Sequence, residues 1–361
     1  MTRAALLAVP ALMLAACSGQ PQAGNTAAAA PTPRPIATSS ATAPAPAAVA
    51  ADGNVIPSPG ALKTFGDWTV GCDNGLSCTM ASLLPDGGVG EGATLNLTRA
   101  AGSTGRYAAD VGEGVTDARG KTAAMRFAID GRDLGGNADA LAAAMANGHL
   151  LTVPGGTISL KGASAALRYI DAMQKRAGTV TATVAKGAAG GASVPLAPAL
   201  PVVAAQRLTP HTAKLPAGVI ATMNRIGQCQ LTEGMDAAPS VAATPDGKLL
   251  AVLPCSAGAY NVIGALFVID GDTVRPAPID APSGFEETGA DSQTPVHSVV
   301  NGDFDGNVLT SYAKGRGLGD CGSSQRFAWD GRRYRLVEQA DMGECRGNPD
   351  FITTWRAMMR P

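Results

Sequence analysis

The chain has 361 residues, with 28 Lys and Arg against 29 Asp and Glu, and only 16% of its side chains are charged. An average soluble domain carries roughly 25%, and without a basic excess the chain is excluded from proteins that hold nucleic-acid phosphates by bulk charge. Its 45% apolar content excludes a wholly disordered polymer, while 45 Gly and 25 Pro argue against coiled coils.

Residues 1–16 read as a lipoprotein signal peptide. Arg3 supplies a short positive region, and Ala4 to Leu14 form an apolar run too short to span a bilayer. The run ends in Leu14-Ala15-Ala16-Cys17, which resembles the bacterial lipobox. That resemblance implies cleavage before Cys17, a diacylglyceryl thioether on its sulfur and an acylated new terminus. Several acyl chains anchor stably. Ser18, rather than Asp, follows the lipid site, which by the same resemblance implies sorting to the outer membrane. The membrane, through this lipid anchor, is thus the first expected partner, and the folded part is expected in the periplasm.

Residues 17–59 carry the lipidated Cys and an Ala/Pro-rich tether whose only charges are Arg34 and Asp52. Such a composition buries too little surface to offset its ordering entropy. From residue 18 onward it spans about 35 Å as a flexible coil and about 130 Å as polyproline II.

The next stretch, 60–187, reads as a β-rich domain with two helices. Phe65 to Cys72 alternates apolar positions as one strand and leads through the turn pair Asn74-Gly75 into Leu76 to Leu84. Ala93–Ala100 and Ala123–Asp130 are further strand-like runs. Helical spacing then predicts a helix from the cap residue Asn137 to Gly148. A second is predicted over Ser164 to Gly178, with Leu167, Ile170 and Met173 on one face and Lys175 and Arg176 in its last turn. Residues 188–215 are Ala/Gly/Pro-rich and read as a linker.

Residues 216–361 read as antiparallel β. The Asp-Gly pairs at 246, 270, 305 and 330 mark turns. With Asp330-Gly331 as a two-residue loop, Phe327 faces Tyr334, Trp329 faces Arg332, and the other face carries Arg326, Arg333 and Arg335. The expected fold class is therefore mainly β with minor α: two β-rich domains, sandwich or partly closed barrel in form, the first carrying the two helices.

Six cysteines remain beside Cys17, an even number that in an exported chain spells disulfides. Fifteen pairings are open, and proximity favours Cys72 with Cys78, Cys229 with Cys255, and Cys321 with Cys345. The first pair comes opposite if its loop has three or five residues rather than two. A zinc site lacks any C-x-x-C spacing, and none of His149, His211 and His297 sits beside a Cys.

The stretch Phe65-Gly-Asp-Trp-Thr-Val-Gly-Cys-Asp-Asn-Gly-Leu-Ser-Cys-Thr-Met80 resembles two groups of exported bacterial proteins. The invasion-associated locus B family shares its opening and covers the first domain alone. The family known as domain of unknown function 1176 resembles the whole folded region. Its likeness is also carried by Ser159 to Gly178, by Asp320-Cys321-Gly322 and by the six-cysteine pattern. That resemblance implies a disulfide-bonded envelope protein and assigns no catalytic residue.

Candidate chemistry is sparse. Ser311-Tyr-Ala-Lys314 matches S-x-x-K, but it follows a strand-like run, where positions three apart face opposite ways, and the supporting motifs S-D-N and K-T-G are absent. Asp303 and Asp305 are weak candidates for calcium, since a loop counted from Asp303 has Val308 where an EF-hand needs Gly and Lys314 where it needs Glu. With neither a nucleophile elbow nor a P-loop, the expectation is a protein that is not an enzyme and takes no cofactor.

Charge is segregated within the second domain. Residues 217–310 hold three basic and eleven acidic side chains, whereas 311–361 hold nine basic and six acidic. Two outcomes are open. The two stretches pair with each other inside the domain, or Lys314, Arg316, Arg326, Arg333 and Arg335, with Trp329 nearby, dock an anionic envelope partner. Cell wall, lipopolysaccharide and an envelope protein are the candidate partners; nucleic acid is not. The expected function is that of a non-enzymatic, lipid-anchored envelope protein. The alternative is an inhibitor of a lysozyme-type lytic enzyme acting through the basic loop Ala313 to Gly317, and an unrecognised hydrolase ranks last.

Overall fold

The computed structural model describes residues 55–85, 92–112, 125–229, 238–280 and 296–361. The expected signal peptide, Cys17 and the expected tether up to residue 54 lie outside the described residues, as do Ala123 and Ala124 of one expected strand. Residues 48–361 form a compact unit.

The chain begins with five short strands joined as an antiparallel meander: β1 (Lys63–Phe65), β2 (Trp68–Cys72), β3 (Cys78–Ser82), β4 (Leu95–Arg99) and β5 (Tyr107–Val111). The expected single strand Phe65–Cys72 is in fact two, because Phe65 pairs with Trp68 across a two-residue turn. Gly66 adopts φ +60° there, and a Cβ on it would meet the Lys161 carbonyl oxygen at 2.6 Å. The turn puts Phe65 and Trp68, three positions apart, on one face, so the alternation of Trp68, Val70 and Cys72 begins only after it. Cys72 and Cys78 are cross-strand partners flanking a five-residue loop, and they form a disulfide.

A second, four-stranded sheet follows in the order β7-β6-β8-β9: β6 (Phe127–Ile129), β7 (Arg132–Gly135), β8 (Leu150–Val153) and β9 (Gly156–Ser159). Helix α1 (Ala138–Met145) starts where expected, with the Asn137 side chain accepting from the Ala140 N–H. Helix α2 (Ala163–Met173) ends five residues before Gly178. The buried Asp171 carboxylate accepts the N–H groups of Thr183, Val184 and Ala185 and pairs with Arg99. These contacts pull the following chain across the helix end, and Lys175 takes φ +57°. Arg176 is thus not a last-turn surface residue but a buried one, donating to Gln174. Trp68, Leu95, Leu97, Phe127, Leu141 and Leu167 fill the core that joins both sheets and both helices.

In the span expected as a linker, strands β10 (Val202–Ala204) and β11 (Thr209–Pro210) form, and α3 (Ala217–Gly227) follows it. This helix is absent from the sequence reading, which put only β in 216–361. Its spacing Val219, Ile220, Met223, Ile226 carries the signal, and those residues pack on one face of the next sheet. That sheet contains β11, β12 (Ser240–Ala243), β13 (Leu249–Ala257), β14 (Val262–Asp270) and β15 (Thr273–Pro276), with β16 (Ser298–Val300) also on β14. The last sheet is the meander β17 (Asp303–Asp305), β18 (Val308–Lys314), β19 (Gly322–Trp329), β20 (Tyr334–Met342) and β21 (Ile352–Arg356). Strand β22 (Met358–Arg360) pairs parallel with β10.

Alternation along β13 and β14 sets the layers. Ala251, Leu253, Phe267 and Ile269 face α3, while Leu250, Val252, Leu266 and Val268 face Leu309, Phe327, Tyr334 and Leu336 of the last sheet. The protein is mainly β, built of packed antiparallel sheets, and none of the described sheets closes into a barrel. Among the described residues no helix is long and apolar enough to cross a membrane.

Candidate functional site

Beside the seam where the first and last sheets meet, a groove of about 750 Å³ opens to solvent, a size typical of ligand sites. One wall is Pro57 to Gly60, ahead of β1, and the other is Gly315, Gly322 and the Cys321–Cys345 disulfide. The floor carries Ser323, Gln339 and Asp341. Cross-strand register puts Ser323 of β19 opposite Asp341 of β20, and Gln339 shares that face two residues earlier. Gly322 makes the turn into β19 with φ +135°, where a Cβ would lie 2.0 Å from the Ala313 carbonyl oxygen. Only glycine fits.

The floor is a polar cluster around a single charge. Asp341 accepts from the Ser323 hydroxyl, from Gln339 Nε2 at 3.0 Å and from the Thr354 hydroxyl at 2.6 Å. Gln325 Nε2 in turn donates to the Gln339 side-chain oxygen Oε1 at 2.8 Å. The Gly60 N–H donates to the Thr354 carbonyl at 2.9 Å, which lashes the proline wall to β21. Asp341 is the one charged residue lining the groove, and no cation pairs with it among the described residues. Neutral donors fix the carboxylate in place, and its charge is left for whatever enters.

The arginines singled out by charge segregation are spent inside the fold. Arg335 and Trp329 are buried rather than presented to solvent. The turn after β19 is also longer than expected. Trp329 pairs with Tyr334 rather than Arg332, so the loop has four residues. Asp330 closes it by accepting the N–H groups of Arg332 and Arg333 at 2.8 Å. The two-position shift keeps Arg335 on the face away from Tyr334 but sets it opposite Ala328 instead of Arg326. There it pairs with Asp280 at 2.8 Å, while Arg333 approaches the other oxygen of that carboxylate at 3.5 Å. Arg326 pairs with Asp305, and Arg316 grips Asp320 with two nitrogens. That grip holds the Asp320 carboxyl below the usual carboxylate range, against the opposing effect of burial. Lys314 forms no ion pair among the described residues and lies over the Tyr312 ring at 5.8 Å.

The remaining sequence candidates are turned to structural use. Ser311 sits on β18, not on a helix, and its hydroxyl bonds both backbone groups of Val300. Asp303 accepts from Ser240 and from its own neighbour's N–H. Among the described residues no group of three or more His, Cys, Asp or Glu gathers as a metal site.

The sequence matches the family model "Protein of unknown function (DUF1176)" over residues 62–359. It is also 31% identical over 332 residues to "Uncharacterized protein YpfG" of Escherichia coli (strain K12), covering 82% of this chain and 92% of that relative. The chain belongs to the DUF1176 family. No solved structure matches it significantly.

In this DUF1176 chain the stretches that carried the resemblance converge on Asp67. Trp68 Nε1 donates to the Ser159 carbonyl, the Ser159 hydroxyl donates to Asp67 at 2.8 Å, and the Asp67 N–H donates to the Lys161 carbonyl. From the far end of the chain Arg346 reaches Asp67 at 2.6 Å and also donates to the carbonyls of Leu84 and Gly66. Gly347, next along, donates to Asp320. A second clamp joins Asp73 to Arg356, beside reciprocal bonds between the Asn74 side chain and the Arg356 backbone. The DUF1176 signature thus holds the two halves of the fold together and shapes the seam beside which the groove opens.

Proposed function

We propose that the chain is an exported bacterial lipoprotein, held in the outer membrane by acylated Cys17, whose folded unit binds another envelope component without catalysing a reaction. The observation that carries this reading is the partition of the cysteines. All six cysteines of the folded unit close as three disulfides, Cys72–Cys78, Cys229–Cys255 and Cys321–Cys345, so the seventh, behind the Leu14-Ala-Ala run, alone keeps a thiol for lipid. Such cross-linking belongs to oxidising compartments. The anchor is tested by labelling cells with a tagged fatty acid, which the wild-type chain incorporates and Cys17→Ala does not; incorporation by both would overturn it.

The groove is the proposed binding site, and the cell wall, rich in hydroxyls and amines, is the proposed partner. A lone carboxylate among hydroxyl and amide groups suits polar neutral or cationic ligands and repels anions. Oxidised protein incubated with purified sacculi is expected to sediment with them, and Asp341→Lys to stay in solution while remaining folded. Failure of the wild type to sediment would end the wall reading.

A second reading is favoured by the loop after β18. Tyr260 donates to the Gly315 carbonyl at 3.0 Å, Asn261 to that of Lys314 at 3.0 Å, and Arg316 is fixed to Asp320. The loop is therefore braced while presenting Lys314 and an exposed Leu318. A stiff basic loop suits insertion into the carboxylate-lined cleft of a lytic glycosidase. Inhibition of a lysozyme-type enzyme that is lost on Lys314→Ala would favour this reading over wall binding.

A further inference from the structure

The tether enters the fold beside an exposed patch that combines apolar side chains with unpaired arginines. Met358 and Met359 of β22 are 46% and 47% exposed, and Ile56 is 87% exposed beside a half-exposed Val55. These two segments are neighbours. Arg335 donates to the Val55 carbonyl, the Met358 N–H donates to the Pro201 carbonyl, and Val55, Pro201, Val202 and Ala357 share one small cleft. Apolar groups of this size, grouped on the surface at the root of a tether, are not the scattered exposure expected of any protein.

Three arginines flank the same place. Ala205 donates to the Arg360 carbonyl, Gln206 donates to the Trp329 carbonyl, and Gly331 lies against the Gln206 side chain. Arg360, Arg207 and Arg332 each belong to or directly adjoin a residue in that knot of contacts, all three are exposed, and none forms an ion pair among the described residues. The nearby carboxylates do not cancel them, since Asp280 and Asp330 are taken up by Arg333 and Arg335. The patch is therefore cationic as well as apolar, the pairing by which surfaces seat in the headgroup layer of an anionic membrane.

We propose that this edge of the fold, where β22 carries Met358 and Arg360 on one side and Met359 on the other beside Val55, Ile56, Arg207 and Arg332, is a membrane-contacting surface that rests on anionic lipid. The occupant follows from where the described chain begins. Everything upstream of Val55 leads back to Cys17, so an anchored tether delivers this edge to the bilayer more readily than any other. In that respect the inference rests on the lipoprotein reading, but the lipid affinity of the edge itself does not need the anchor. Contact here would work as the second signal that makes a lipid-anchored protein lie on the bilayer instead of swinging free.

The test uses the chain from residue 18 onward, which lacks the lipid site and retains the whole compact unit of residues 48–361. It is sedimented with vesicles of phosphatidylethanolamine containing phosphatidylglycerol, and with neutral phosphatidylcholine vesicles. Binding is expected to the anionic vesicles only, and to vanish near 1 M salt, where the Debye length is about 3 Å. Arg207→Glu/Arg332→Glu/Arg360→Glu should bind at least about a hundredfold more weakly, at about fivefold for each of the three charges removed. Met358→Ser/Met359→Ser should weaken binding severalfold without altering its salt dependence. Arg326→Glu, which alters the pair with Asp305 on another strand, should leave binding unchanged, and circular dichroism confirms that each variant is folded. Absence of binding to anionic vesicles at low salt, equal binding to neutral ones, or full binding by the triple Glu variant would each overturn the proposal. The anchor stands or falls separately, on fatty-acid labelling of Cys17.

Discussion

Asp67 and Arg346, 279 positions apart in the chain, meet at 2.6 Å with both side chains largely withdrawn from water. The pair is the point where the turn of the first hairpin, the entry to α2 and the segment after the last disulfide are tied to one another. Removing one partner strands the other's charge away from solvent. Asp67→Asn and Arg346→Met are therefore each expected to cost about 3 kcal/mol in denaturant unfolding, and the double variant to cost less than the sum of the two. Additive losses would show that the two residues stabilise the fold independently.

Acid should attack the neighbouring clamp. The folded-state carboxyl of Asp320 is depressed, chiefly by its hydrogen bonds from Arg316. A depressed pKa adds stability that is complete above the unfolded value near 3.9 and is lost as pH falls through the folded one. Unfolding free energy is expected to decline as pH drops below about 4, and Asp320→Asn to be less stable at neutral pH but flatter over that acidic window. A variant with the wild-type slope would assign the acid sensitivity to other carboxylates.

Tyr334 is fully buried, and its hydroxyl has no hydrogen-bond partner among the described residues. Burial pushes its ionisation far above the ordinary tyrosine range, so the ring stays neutral across accessible pH. Its value to the core is the ring itself, packed edge-on against Trp329 at 5.0 Å between centroids. Tyr334→Phe keeps that contact and deletes the orphan hydroxyl. It should be neutral or raise stability by about 1 kcal/mol, whereas Tyr334→Ala should cost about 3–5 kcal/mol. Thermal unfolding of the two variants separates these effects.

The disulfides should differ in worth according to the loops they close. Cys229–Cys255 spans 26 positions and Cys72–Cys78 only 6. Chain entropy makes the longer loop about 1 kcal/mol more stabilising. Replacing each pair by alanine and comparing denaturation midpoints checks the order. A larger loss from the Cys72–Cys78 replacement would assign that bridge a packing role in the first core.

Local features of the fold were legible in the sequence and remote ones were not. Asn137 as a cap and Cys72 opposite Cys78 depend on neighbours within a few residues, and both came out as expected. The four-residue loop after Trp329 was misread because Asp330-Gly331 is compatible with two registers, and Asp330's side-chain bonds to Arg332 and Arg333 select the longer one. That choice sets Arg335 opposite Ala328 instead of Arg326 on the same face, and its burial against Asp280 comes from remote packing of that face, which no local pattern shows. Helix α3 (Ala217–Gly227) was missed because the Asp-Gly turn pairs farther on set the reading of 216–361 as all β, although Val219, Ile220, Met223 and Ile226 carry its period. The groove was not legible at all, since its walls come from residues near 58, 322 and 341, and only the assembled sheets bring these together.

The clamps from Arg346 and Arg356 onto Asp67 and Asp73 also bear on timing. The first sheet has its sequence early, yet two of its buried carboxylates find their cations only after nearly three hundred more residues have been made. Contacts of such separation form slowly, because a long loop must close before they return any stability. A nascent chain would thus hold its opening hairpin incomplete until late in synthesis. Under the proposed export, that delay would leave the chain unset while it threads a membrane.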